Sequence, residues 1–361
     1  MPVFNKNSRV LMKELEHEVG KGPTELNIME FVLDTSLKSI CDFLFGIDNK
    51  VKINSKEFLG LKNIIERIPE IFIKRVTQPW LRWDPIFLFI YKKELAEINK
   101  KWKAFTEEPL KDTKEKYELK MKSPQIASEE EENKNGEPLT ILDVYRPFQE
   151  KNPQFTEADM RGEMFTLYET GSDTVASIVS FCLMSLAQYP EYQVKLCSEI
   201  DSVVGPDDDV TTDHIHKMTY LDQCLKETLR RFTLVPYLLR RTADEVKLSD
   251  CTVPADHTIV VSIYGIHMNP KIYPDPERFD PDRFSPENSV SRSKFTFIPF
   301  SGGPRDCIGK KYGMMIMKVM LVHILRRYKV KAVMNIHKIK RKLVVALVST
   351  EGYKVELEPR S

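Results

Sequence analysis

Net charge is almost absent from this chain of 361 residues, in which 54 lysines and arginines stand against 53 aspartates and glutamates, a formal +1. A balance of that kind leaves no electrostatic footprint for nucleic acid. Long apolar runs are missing as well. No window reaches the roughly 18 consecutive apolar residues of a membrane span. The best stretch, Pro85-Ile86-Phe87-Leu88-Phe89-Ile90-Tyr91, is short and bounded by Arg82 and Lys92. Residues 1–13 carry no apolar signal core. Cysteine is sparse, at positions 41, 182, 197, 224, 251 and 307, with no C-x-x-C pair and no zinc-type spacing. This excludes a disulfide framework and predicts reduced thiols, five of them ordinary buried residues. No Walker element and no G-x-G-x-x-G follows a strand pattern, so no nucleotide site is expected. His214 and His216 form an H-x-H, but neighbours at that spacing do not share a helix face, and no third ligand lies nearby in sequence. They read as surface histidines.

What the chain does have is a folded composition, 42% hydrophobic and 30% charged. Residues 4–98 are mostly helical in pattern, with Leu33, Leu37, Ile40 and Leu44 at three- and four-residue spacing, punctuated at Pro79-Trp80 and Asp84-Pro85. Residues 111–122 read as a charged helix, and residues 123–138, acidic and polar, as a surface loop. Thr156 and Asp159 predict a capping box that opens a long helix ending before Pro190. Residues 220–232 and 313–328 are further helices, residues 246–262 alternate like a strand, and residues 269–286 are proline-rich coil. Residues 343–357 predict a hairpin turning near Glu351-Gly352. The expected class is mainly α with a minor β-sheet.

Chemistry concentrates in Phe300-Ser301-Gly302-Gly303-Pro304-Arg305-Asp306-Cys307-Ile308-Gly309. Glycine-rich backbone surrounds one cysteine and leads into a helix, whose positive end and free N–H donors favour negative charge on the sulfur. Gly303 and Gly309 lack a Cβ, so a flat ligand can approach the main chain there. Arg305 suits a carboxylate of such a ligand. Taken alone, cysteine and glycines also fit a plain turn before a helix. The whole arrangement F-x-x-G-x-R-x-C-x-G is more restrictive, and it resembles the haem-thiolate signature of cytochromes P450. The resemblance implies Cys307 as axial ligand to iron, Arg305 on a haem propionate, Phe300 beside the sulfur, and Gly303, Ile308 and Gly309 against the cofactor.

Three other segments carry the same resemblance. Glu227 and Arg230 share a helix face three residues apart, and Pro281-Asp282-Arg283-Phe284 is similar to the family's P-E-R-F element. Glu227, Arg230 and Arg283 are thereby assigned a structural network. Thr170-Gly171-Ser172-Asp173-Thr174 interrupts an apolar helix. By itself that reads as a kink with hydroxyls bonding back to the preceding turn. It also resembles the family's G-x-D-T motif, in which a widened turn at Gly171 faces the oxygen site and Asp173 and Thr174 relay protons. Val235-Pro236-Tyr237-Leu238-Leu239-Arg240 resembles the segment crossing the haem edge, with a propionate contact on Arg240 and Arg241 as the alternative.

Residues 220–231, 261–284 and 297–328 look most like the animal and insect family-four fatty-acid hydroxylases. The resemblance implies the cytochrome P450 fold, haem b (iron protoporphyrin IX), O2, an NADPH-cytochrome P450 reductase, and a fatty acid, hormone or foreign lipophile as substrate. The pocket would involve Leu167, residues 235–239 and Ser349. It also implies the cytosolic face of the endoplasmic reticulum, with membrane association through a longer form. Met1 matches a point inside the family's catalytic domain, so residues 1–361 are expected to be its C-terminal portion. The anchor, first strands and W-x-x-x-R helix would be missing. None of Trp80, Trp83 and Trp102 has arginine four residues later. Thr170 stands where that family carries a glutamate that bonds to haem, so no covalent link is expected. The alternatives are an inactive fragment that binds haem at most, or not at all, and a haem-thiolate isomerase or dehydratase working without a reductase.

Overall fold

A computed structural model describes residues 1–20, 22–46, 56–122, 140–290 and 292–360; the acidic stretch 123–138 lies outside them. In chain order the helices are α1 (Pro2–Val19), α2 (Ile28–Phe45), α3 (Lys56–Thr77), α4 (Asp84–Lys122), α5 (Ile141–Lys151), α6 (Glu157–Gln188), α7 (Pro190–Val203), α8 (Thr212–Lys217), α9 (Thr219–Arg231), α10 (Ile263–His267), α11 (Pro286–Ser289) and α12 (Lys310–Arg327). The strands are β1 (Thr24–Asn27), β2 (Tyr237–Arg241), β3 (Val246–Lys247), β4 (Thr252–Val253), β5 (Thr258–Ser262), β6 (Tyr328–Ala332), β7 (Arg341–Leu343), β8 (Leu347–Ser349) and β9 (Lys354–Pro359). Helices dominate and every strand pair is antiparallel.

The chain divides into two compact units, Met1–Val32 with Thr174–Ser361, and Leu33–Asp173. In the first, α12 is the central element, with Ile316, Val319, Met320, Leu321, Val322, Ile324 and Leu325 all inaccessible. It packs on α1, where Leu11 and Leu15, one turn apart, are fully buried. A stacked pair, Phe181 on Phe232 with centroids 4.3 Å apart, joins α6 to the end of α9. The side-chain amide of Gln193 donates to the carbonyls of Leu186 and Val330 and accepts the Val330 N–H. That closes three buried polar groups that would otherwise each cost about 1–3 kcal/mol. The main sheet has the order β1-β9-β6.

The second unit is built on α4, whose Trp102 is buried against Phe105, Phe165 and Tyr168 and donates its indole N–H to the Arg161 carbonyl. Gly46, at φ 96°, ends α2 by donating to the Asp42 carbonyl, a conformation that other residues adopt only with strain. The Thr156–Asp159 capping box forms as expected, each residue's side chain accepting the other's backbone N–H.

Several expectations need correction. Residues 246–262 are not one strand: β3 and β4 pair with each other, and β5 pairs with β2, because Asp256, at φ 65°, turns the chain between them. The C-terminal hairpin is β7–β8, turning at residues 344–346 rather than near Gly352. At Gly352, φ 80°, the chain leaves that hairpin, and β9 runs between β1 and β6 instead. The long helix α6 does stop before Pro190, at Gln188, and Pro190 opens α7 at its first position, where a missing N–H is harmless. Among the cysteines, all free, Cys41, Cys182 and Cys224 are buried as expected, whereas Cys197 is half-buried and Cys251 exposed. Among the described residues, one helix, α6, is long and apolar enough to cross a membrane, and 78% of its most apolar stretch is buried, the pattern of a core helix.

Candidate functional site

The cysteine loop lies between Ile298 and the start of α12. Ser301 at φ 66° and Gly303 at φ 81° turn the backbone, and the loop is closed by Cys307 N–H donating to the Phe300 carbonyl at 2.9 Å and Asp306 N–H to Gly303 at 3.1 Å. Gly309 is the N-cap of α12, so its carbonyl accepts the Gly313 N–H at 2.7 Å, while Cys307 sits two residues before that cap. The thiol is exposed, and Ile308 beside it is 89% exposed, an apolar side chain with nothing of this chain over it. A Cβ added at Gly302 or Gly303 would meet no atom within 4 Å. Phe300 is half-buried, with the Lys310 ammonium 6.0 Å from its ring centre, and Arg305 is exposed.

Arg240 and Arg241 can now be told apart. Successive strand residues point to opposite faces. Arg241 is tied to Asp256 at 2.6 Å, whereas Arg240 reaches the loop and donates to the Ser301 hydroxyl at 3.4 Å.

Behind the loop, Glu227 and Arg230 are wholly inaccessible and joined by two hydrogen bonds of 2.7 and 2.8 Å. Arg230 also donates to the carbonyls of His267 and Pro276, and Glu227 accepts the Asp280 N–H. The Arg283 Nε lies 3.5 Å from Glu227, an ion-pair contact and not a hydrogen bond, while its Nη2 donates to the Asp275 carbonyl. Removing one partner of such a pair leaves a buried charge uncompensated, at a cost of about 3–5 kcal/mol.

His267 went unnoticed in the sequence. It is inaccessible, its Nε2 accepts the Ile298 N–H at 3.1 Å, and its Nδ1 is 2.8 Å from the Thr233 hydroxyl, which donates to the Arg230 carbonyl. That pattern fixes a neutral imidazole with its proton on Nδ1. Burial, then the neighbouring Arg230, push its pKa down to about 3.

In the other unit, α6 is α-helical through residues 170–173, without a widened turn. The hydroxyls of Thr166, Thr170 and Ser172 bond back to the carbonyls of Gly162, Thr166 and Tyr168. Gly171 answers a packing need: a Cβ there would lie 2.9 Å from Ile40 Cδ1, and its carbonyl accepts from Ser36. Asp173 and Thr174 are half-buried. Glu169 lies one turn before Asp173 and one residue before Thr170. Burial, then the Asp173 charge, raise its pKa to about 7.

The donor set bears on a cofactor. Among the described residues no group of three or more His, Cys, Asp or Glu side chains could hold a metal ion. A single exposed thiol therefore suits a metal that arrives with its other ligands already attached, as in a porphyrin. The glycine edge and the uncovered Ile308 suit the flat apolar body of such a group.

A family model described as Cytochrome P450 matches residues 1–357. Cytochrome P450 4c3 of Drosophila melanogaster is 30% identical over 99% of this chain and 68% of its own length. Probable cytochrome P450 4aa1 of Drosophila melanogaster is 32% identical, and Cytochrome P450 4F5 of Rattus norvegicus 30%, each over the same shares. The chain belongs to the cytochrome P450 family. By family it is a haem-thiolate monooxygenase.

Proposed function

We propose that this chain inserts one oxygen atom of O2 into a C–H bond of a lipophilic substrate, a fatty acid, hormone or foreign lipophile. The second oxygen atom leaves as water, with two electrons from NADPH delivered by a cytochrome P450 reductase and two protons. Residues 1–361 are taken as the C-terminal portion of the catalytic domain. Haem b, when bound, supplies oxygen activation at an iron whose thiolate ligand favours O–O cleavage. Cys307 is the thiolate. Phe300, Gly303, Ile308 and Gly309 make the surface for the flat body, and Arg240 and Arg305 hold propionates. Glu227, Arg230 and Arg283 keep the segment behind the loop in place.

Asp173 and Thr174 hold and pass protons, the carboxyl as a source and the hydroxyl as donor and acceptor at once. Gly171 lets their helix turn approach its neighbour closely. The observation that carries this reading is the exposed Cys307 thiol in its glycine-edged loop, with Arg240 reaching the same loop from β2.

We further propose that the protein works at the endoplasmic-reticulum membrane on the cytosolic side. Support comes from the second unit, where Phe72, Trp80, Trp83 and Phe89 are exposed, Phe89 to 91%, beside Arg75 and Arg82. Aromatic and basic side chains of that kind suit a lipid interface.

The test is the carbon-monoxide difference spectrum of the reduced, haemin-supplied chain. A thiolate-type Soret band that disappears in Cys307→Ala is expected. A band retained in that variant would overturn the ligand assignment, and reductase-independent turnover would overturn the monooxygenase reading.

A further inference from the structure

In the first unit a cavity of about 450 Å3, half open to solvent, lies away from the cysteine loop, between the end of α9 and the segment leading into β7. Two arginines line it. Arg231 is 4% exposed, donates from Nε to the Glu277 carbonyl and pairs with the Glu277 carboxylate. Arg341 is half-buried, and its guanidinium carbon lies 5.9 Å from the Phe232 ring centre, with that of Arg231 at 5.2 Å from the same ring. In each arginine, Nη1 is shielded from solvent and has no hydrogen-bond partner.

An unsatisfied buried guanidinium N–H is costly, and here two cations lie by one aromatic ring while the Glu277 carboxylate pairs with Arg231. Burial depresses the Arg231 pKa, and Arg341 depresses it further against the pull of Glu277. Phe232, Ile336 and Ile339 supply an apolar wall. The cavity is several times larger than a bare inorganic oxyanion, so the wall is part of the site.

We propose that this cavity binds an organic oxyanion, a carboxylate or phosphate group carried on an apolar body. Arg341, the more exposed of the two arginines, turns its free N–H groups to the anion and Arg231 backs it. The apolar body lies on Phe232 and Ile339. Guanidinium suits this task because its planar fork offers paired donors to two oxygens at once. The Glu277 carboxylate, 60% exposed at its side chain, disfavours anions that lack the apolar part.

Isothermal titration calorimetry of the full chain with phenyl phosphate, benzoate and the uncharged benzyl alcohol tests this. Saturable binding of one or both anions is expected, without binding of the alcohol, weakening at least tenfold in Arg341→Gln and in the cavity-filling Ile339→Phe. The tighter anion identifies the class, phosphate ester or carboxylate. Should Arg341→Gln fail to fold, Ile339→Phe decides. No saturable anion binding, equal binding of benzyl alcohol, or a folded variant that binds like the parent overturns the proposal.

Discussion

The Nε2 of His267 accepts the backbone N–H of Ile298 at 3.1 Å, thirty-one positions further along the chain. Through this one imidazole the end of α10 holds the strand-like entry to the cysteine loop, two residues before Phe300. The same residue's carbonyl accepts from Arg230, so its main chain serves the buried ion pair and its side chain serves the loop.

Acid should loosen this arrangement. His267, held down to about 3, and His323, held down to about 4 by burial and the adjacent Arg326, are neutral in the folded chain. In the unfolded chain both titrate near 6.5. Their contribution to stability is complete above that value and is lost as pH falls toward the folded values. At pH 5 each costs about 2 kcal/mol relative to pH 7.5. Urea midpoints at the two pH values measure this, and His267→Gln should show a shallower pH dependence than the parent.

Arg230→Leu should destabilise the first unit by about 3–5 kcal/mol, since it strands the Glu227 carboxylate in a wholly buried site. The double variant Glu227→Leu with Arg230→Leu should recover part of that loss. Denaturant titration reads both, and a double variant no better than Arg230→Leu would sink the argument from stranded charge.

At Gly171 two effects oppose each other. Alanine gains about 1 kcal/mol in a helix interior, but its Cβ would lie 2.9 Å from the tip of Ile40. Gly171→Ala alone should change the melting temperature little. Added to Ile40→Val, which removes that Cδ1, it should stabilise. A large loss in both backgrounds would mean that the glycine is there for its backbone and not for packing.

Glu169 should make the second unit less stable at high pH. Its folded pKa is raised to about 7, so the unfolded chain releases the proton first, and the penalty grows from about pH 4.5 to 7 and then stays constant. Glu169→Gln should raise the melting temperature at pH 8 and leave it unchanged at pH 4. Equal shifts at both values would contradict the assignment.

Thiol labelling separates the cysteines. In the native chain Cys251 and Cys307 should react with an iodoacetamide reagent within minutes, and Cys41, Cys182 and Cys224 should not, Cys182 being pushed up to about 12 by burial. Added haemin should protect Cys307 and leave Cys251 reactive. Mass spectrometry of tryptic peptides gives the answer site by site.

What could be read in advance follows the range of the forces involved. The cysteine loop, the pair at Glu227 and Arg230 and the cap at Thr156 are written in adjacent residues, so local spacing exposes them. The role of His267 is not, because its partners Arg230 and Ile298 stand 37 and 31 positions away. The same holds for the Arg231 cavity, whose other wall begins near Ile336. Local alternation in residues 343–357 suggested one hairpin, whereas β9 pairs with β1 more than 300 positions earlier. The exposure of Cys251 was hidden for a further reason: a short turn between β3 and β4 carries no periodicity to say which side is out.

The central place of β9 sets an order of assembly. Leu26 and Val355 are cross-strand partners, as are Val330 and Leu357, so during synthesis β1 and β6 leave the ribosome with no strand between them. Residues 354–359 are made after both of those strands, and only then can the sheet close. Loop closure over such a separation is slow, and both waiting strands expose unpaired edges to other chains meanwhile. Nascent chains stalled before residue 354 should therefore depend on chaperones far more than the finished protein does.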